Sequence, residues 1–100
     1  MRFFCAHIVI GMCELCELRV KINVYMDTTK FIILDCIDCH IPMIVWKEHT
    51  MTINTEYERI MESMLHKVAK MFYKDKKYYI DKKQRKIFDH LHWHSREVYE

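Results

Sequence analysis

Along Arg19–Met26 apolar and polar residues alternate, with Val20, Ile22, Val24 and Met26 on one side and Arg19, Lys21, Asn23 and Tyr25 on the other. A period of two belongs to a half-buried strand, because successive side chains of an extended backbone point to opposite faces. Asp27-Thr28-Thr29-Lys30 reads as a turn, and the apolar run Phe31–Leu34 as a second, more deeply buried strand. Cys36–Cys39 makes a tight corner before a third strand at Met43–Trp46. The sole proline, Pro42, stands at the start of that strand, where a missing N–H is tolerated.

The period then changes. Ile60, Met61, Met64, Leu65, Val68, Ala69 and Phe72 recur at helical spacing, one apolar stripe to lay against a sheet. Thr55 followed three residues later by Glu58 reads as a capping box at the start of that helix. The methionines of the stripe suit core filling and need no cofactor to explain them. Lys74–Lys77 ends the helix, Tyr78–Ile80 makes a short strand, Asp81–Lys83 a turn, and Ile87–Trp93 a final strand. The expected fold is α+β: an antiparallel sheet with one main helix packed on a face. Residues 12–100 form the domain, and residues 1–11 an N-terminal extension or extra strand.

Composition narrows the class. A chain of 100 residues has room for one core, and 51% hydrophobic content supplies it. A net charge of +2 is too small to argue by itself for nucleic acid or a membrane. The run Phe3–Met12 is apolar, but it contains His7 and lacks a small-x-small cleavage site. No apolar stretch reaches the ~20 residues that span a bilayer, so the expected setting is cytoplasmic.

The five cysteines point to a metal rather than to a disulfide scaffold. Cys13/Cys16 and Cys36/Cys39 are Cys-x-x-Cys pairs with nineteen residues between them, and Cys5 is left over. Neither pair opens a helix within a thioredoxin-like βαβ pattern, as a redox motif would. By spacing alone the two pairs fit a tetrahedral zinc site made of four cysteines. His49 and His90 offer a competing set, two cysteines of the first pair with two histidines.

His90-Leu91-His92-Trp93-His94 is the second chemical signal. On a strand the three imidazoles share one face, while Leu91 and Trp93 point the other way, into the core. Such a row serves metal ligation, proton transfer, nucleophilic attack or anion binding; the alternative is a histidine-rich solvated face. One ion held by all three is disfavoured, since they span about 13 Å at ~3.3 Å per residue.

Three features occur in order: Cys13-Glu14-Leu15-Cys16, then Phe31-Ile32-Ile33-Leu34-Asp35 followed by Ile44-Val45-Trp46-Lys47-Glu48-His49, and finally His90-Leu91-His92-Trp93-His94. Together, over roughly Met12 to His94, they resemble the histidine-triad (HIT) proteins, in the zinc-containing branch related to galactose-1-phosphate uridylyltransferases. The resemblance implies that Cys13, Cys16, His49 and His90 ligate Zn2+, with Cys36 and Cys39 an alternative second pair. It implies that His92 attacks the α-phosphate of a nucleotide to form a nucleotidyl-histidine intermediate. His94 would contact the phosphate and Asp35 the ribose, and the protein would be a homodimeric nucleotidyl hydrolase or transferase. The chain departs from the family in having no glycine in Arg85–Asp89, before the triad, and Ser95-Arg96 after it. Lys86, Arg85 or Arg96 would then hold phosphate by charge.

A reading from another class is a zinc-stabilised module that binds nucleic acid. Residues 74–86 carry seven Lys/Arg against Asp75 and Asp81, interleaved with Tyr78 and Tyr79. Basic residues with aromatic interleaving can hold a single strand, although such runs are more often plain solvated surface.

Overall fold

A computed structural model describes residues 13, 15, 16, 18, 21–84 and 87–99. Its elements are β1 (Ile22–Asp27), β2 (Phe31–Asp35), β3 (Pro42–Trp46), α1 (Thr55–Tyr73), β4 (Tyr78–Asp81) and β5 (His92–Glu97). The five strands form one antiparallel sheet in the order β1-β2-β3-β5-β4. This is the expected α+β class. Arg85, Lys86 and the 1–11 segment lie outside the described residues.

Thr28 closes the β1–β2 turn: its Oγ1 accepts from Phe31 N at 2.9 Å and Lys30 N at 3.2 Å. The alternation expected of β1 is broken. Ile22 pairs with Asp35 and Met26 with Ile33, so three residues of β1 face Leu34 alone. Asn23 absorbs this bulge at φ 50°, a left-handed conformation that Asn tolerates better than most residues. Val24, expected on the apolar side, is consequently 46% exposed, while Met26 still packs on the core.

Every residue of β2 and β3 is buried, because both faces of the central sheet are covered. On one face Phe31, Ile33, Ile44, Trp46, Leu91 and Trp93 meet Met61, Leu65 and Val68 of the helix. On the other, Ile32, Leu34, Met43 and Val45 lie under Leu15, with Cys13, Leu18, Cys36 and Ile87 around them.

The helix begins one residue earlier than the Thr55 capping box implies. Asn54 is the N-cap, and its side-chain oxygen accepts from Tyr57 N at 2.7 Å. The stripe is narrower than the sequence pattern, since Ile60 (37%) and Phe72 (39%) are exposed whereas Met61, Leu65 and Ala69 are sealed. Lys74 at φ 60° ends the helix, as the lysine run suggested.

The final strand is displaced from the expected Ile87–Trp93 to His92–Glu97. Its partner β3 ends at Trp46, where Trp46 N bonds to Leu91 O at 3.1 Å. Phe88, Asp89 and His90 are therefore a bend, and β4 instead pairs onward with Ser95, Arg96 and Glu97. No helix among the described residues is long and apolar enough to cross a membrane.

Candidate metal centre and histidine face

Two chain reversals bring four donors together. Cys16 N bonds to Cys13 O at 3.1 Å, a turn that aims both sulfurs the same way while Leu15 anchors it in the core. The bend before β5 delivers His90, fully buried, and the segment after β3 delivers His49. One ligand atom from each of Cys13, Cys16, His49 and His90 lies within 4.8 Å of every other. Cys16 Sγ is 3.1 Å from His49 Nδ1 and 3.3 Å from His90 Nδ1, and Cys13 Sγ is 3.5 Å from His90 Nδ1. Metal–sulfur bonds of ~2.3 Å and metal–nitrogen bonds of ~2.0 Å at a tetrahedral angle separate S and N by about 3.5 Å. The donors are thus spaced for a single four-coordinate ion.

The far sides of both imidazoles support this. His90 Nε2 donates to the carbonyl of Trp46 at 2.5 Å, which leaves Nδ1 as a lone-pair nitrogen toward the sulfurs. His49 Nε2 lies 3.2 Å from Asp89 Oδ2, so its Nδ1 is left for the same centre. Outward N–H groups held by oxygen acceptors are the usual means of orienting metal-binding histidines. Burial, then the adjacent Cys13, pushes the Cys16 thiol up to about 11, so an ion entering here must displace a proton. Burial also lowers the pKa of His90 and favours its neutral, ligating form.

The structure does not assemble a four-cysteine site among the described residues. Cys36 and Cys39 group with His94 rather than with Cys13 and Cys16. The two Cys-x-x-Cys pairs therefore belong to separate clusters.

His92, His94 and Arg96 share the face of β5 turned away from the helix, opposite Val45 and Met43. The His92 and His94 rings are edge to face with centroids 5.5 Å apart. His92 Nδ1 donates to the His90 carbonyl at 2.9 Å, which leaves Nε2 as the lone-pair nitrogen. Burial lowers the pKa of His92, so the neutral ring is favoured. His92 is 5% and His94 8% exposed. Arg96 reaches back along this face to Asp81, the cross-strand partner of His94, with its Nε 2.6 Å from Asp81 Oδ2.

Two expected partners are not brought to the histidines. By strand alternation Asp35 shares the helix-side face with Phe31 and Ile33. There its carboxylate accepts from Asn23 Nδ2 at 2.8 Å and Tyr25 OH at 2.7 Å. Burial and this carboxylate raise the Tyr25 pKa to about 12, so the phenol remains a donor. His90, expected in line with His92 and His94, has left the strand and turned to the cysteines. Lys86 is outside the described residues.

Asp89 and the Trp46 carbonyl were not among the expected site residues. An acidic residue directly before a ligand histidine was the available signal for the first; a backbone carbonyl leaves none. In the basic segment, Tyr78 turns inward, its hydroxyl 2.8 Å from His66 Nδ1 and its ring stacked on Tyr73. Lys82 pairs with Glu62 and lies over Trp93. Tyr79 is the outward aromatic of that strand, 45% exposed.

No protein-family model matches the chain, and no curated protein or solved structure shows significant similarity to it.

Proposed function

We propose that the protein is a zinc-containing, HIT-like nucleotide-binding protein, a nucleotidyl hydrolase or transferase that works through His92. The observation that carries the reading is the His92 hydrogen bond to the His90 carbonyl, which directs a neutral lone pair at Nε2 away from its own backbone. A neutral imidazole is a competent nucleophile toward phosphorus. Attack on an α-phosphate would form an N–P bond at Nε2 and expel the leaving group with its electron pair. Water or an acceptor hydroxyl would then break that bond and regenerate the ring. His94, on the same face of β5, and Arg96 beyond it are the candidates to donate hydrogen bonds to the phosphate oxygens.

Cys13, Cys16, His49 and His90 would hold the zinc, and the ion's chemistry there is to fix the bend before β5 and add local positive charge. Asp35 keeps a role in fastening β1 to β2 and is no longer assigned to ribose. The test is turnover of a nucleoside phosphoramidate by the wild type and by His92→Ala and His92→Asn. Loss of turnover in both variants, with metal content retained, is the expected result; full activity in either would end the proposal.

A second reading is favoured by the burial of His92 and His94. A surface hollow of about 400 Å³ is lined by Phe72, Tyr73, Lys74 and Glu97, away from His92 and His94. On this reading the domain is a metal-stabilised structural module, with the histidines part of its second core. Wild-type protein with a full complement of metal and no binding of any nucleotide would favour it.

A further inference from the structure

The second Cys-x-x-Cys pair caps the β2–β3 hairpin. Cys36 N bonds to Ile41 O at 2.8 Å and His40 N to Cys36 O at 2.7 Å, with His40 at φ 59°. The loop is therefore a closed turn and not a free tip. Within it, burial raises the pKa of the Cys36 thiol, while the peptide N–H groups of Cys39 and Asp38 bond to its sulfur and pull the other way. Those N–H groups offset only part of the rise, so an ion binding here would displace the thiol proton. Arg96 Nη1 stands 3.9 Å from Cys39 Sγ and adds positive charge beside the second sulfur.

The third donor comes from a different part of the sheet. The register Met43↔His94 sets His94 beside the base of the hairpin. Ser95, whose Oγ donates to Pro42 O at 3.0 Å, fixes β5 there. One ligand atom from each of Cys36, Cys39 and His94 falls within 4.8 Å of the others. Cys36 is half-buried, Cys39 exposed and His94 buried, so the group opens to solvent on the Cys39 side.

We propose that Cys36, Cys39 and His94 form a second transition-metal site with three protein ligands and a fourth position open to water or a small thiol. Two sulfurs and one imidazole are a donor set that suits zinc, and soft thiophilic ions such as cadmium and cuprous copper. With one ligand fewer than the first centre, it binds more weakly and fills second. A consequence, which rests on the catalytic reading above while the site itself does not, is that an ion on His94 removes a phosphate donor. Filling the second site then slows nucleotidyl transfer.

The test is a titration of metal-stripped, full-length protein with Co2+ under a non-thiol reductant that keeps the cysteines reduced. The expected result is two steps, each with thiolate-to-cobalt charge-transfer absorption. The second step should vanish in Cys36→Ser/Cys39→Ser and in the gentler Cys39→Ala, a change at an exposed side chain, while the first step is kept. Saturation at one equivalent in the wild type would overturn the proposal. So would a second step that persists in Cys39→Ala, or one step abolished equally by replacing either cysteine pair, which would mean one shared ion. In a parallel assay, the second equivalent of zinc should slow phosphoramidate turnover in the wild type, and Cys39→Ala should escape that slowing. A wild type without turnover would sink the catalytic reading and leave the titration as judge of the site.

Discussion

Asp89 offers a direct test of the first metal centre, because among the described residues its side chain hydrogen-bonds to the centre through His49. Its Oδ2 lies 3.2 Å from His49 Nε2, and the carboxylate is 76% exposed while the His49 side chain is 44% exposed. Removing the outer partner of a metal-binding histidine costs roughly 10- to 100-fold in metal affinity. Solvent screening of so exposed a pair places Asp89→Ala at the lower end, about tenfold, or ~1.4 kcal/mol. Under saturating zinc that difference passes undiminished into folding stability, since the ion binds the folded chain. For a domain of this size it lowers Tm by roughly 6–11 °C. Asp89→Asn keeps an oxygen acceptor without the charge and should fall between. The assay is zinc competition against a chromophoric chelator, paired with thermal melts followed by circular dichroism with zinc and with excess chelator. The signature is a loss seen with zinc that disappears in chelator. An affinity within twofold of wild type, or an equal Tm loss in the stripped protein, would refute the assignment of His49 as a ligand oriented by Asp89.

Three further outcomes follow from the geometry. Asn54→Ala should cost about 1 kcal/mol in a denaturant melt and Thr55→Ala clearly less, because the cap hydrogen bond belongs to Asn54; equal costs would return the cap to Thr55. Asn23→Gly should lose only the hydrogen bond to the Asp35 carboxylate, roughly 1.5–3 kcal/mol, whereas Asn23→Val should lose ~1–2 kcal/mol more by forcing a β-branched residue to positive φ. Equal losses in the same melts would mean that the bulge is not held at residue 23. Nitrogen NMR of the imidazoles in metal-loaded protein should find His92 as the Nδ1–H tautomer and His90 with its proton on Nε2; the reverse for either ring would contradict the hydrogen bonds to the His90 and Trp46 carbonyls.

Much of the architecture was legible because burial imposes period. The unbroken apolar run of β2 marks a strand covered on both faces, Pro42 marks the start of β3, and the 3.6-residue stripe of α1 says which face of the helix meets the core. What failed were positions decided by a neighbouring strand. β1 looked regular because Val20, Ile22, Val24 and Met26 alternate, yet a bulge at Asn23 turns Val24 outward. The one local hint was that Asn tolerates the left-handed region. Ile87, Phe88, Leu91 and Trp93 suggested a strand, but β3 has ended before residues 87–90 could pair, and Phe88 is 70% exposed. Among the site residues, spacing identified both cysteine pairs but could not choose their histidines, since that depends on which strand lies beside each turn. Asp35 is a different case. Counting in twos from Phe31 puts it on the helix side, the face that also takes Trp93, and hence opposite His92 and His94.

The displacement of His90 from the strand joins the two chemical features of the molecule. A regular strand would have left three rings in a row, too far apart to share an ion. Instead the bend at residues 88–90 sends the His90 ring to Cys13 and Cys16, while its own carbonyl accepts the Nδ1 proton of His92. The ring is held on its other side by the Trp46 carbonyl, and Trp46 N is held by Leu91 O. An ion bound by Cys13, Cys16, His49 and His90 therefore fixes the peptide that selects the His92 tautomer, without touching His92. Substituting His90 should thus disturb the neighbouring ring even where the fold survives, and it is this shared peptide, rather than three histidines acting alike, that gives the His-x-His-x-His sequence its structural meaning here.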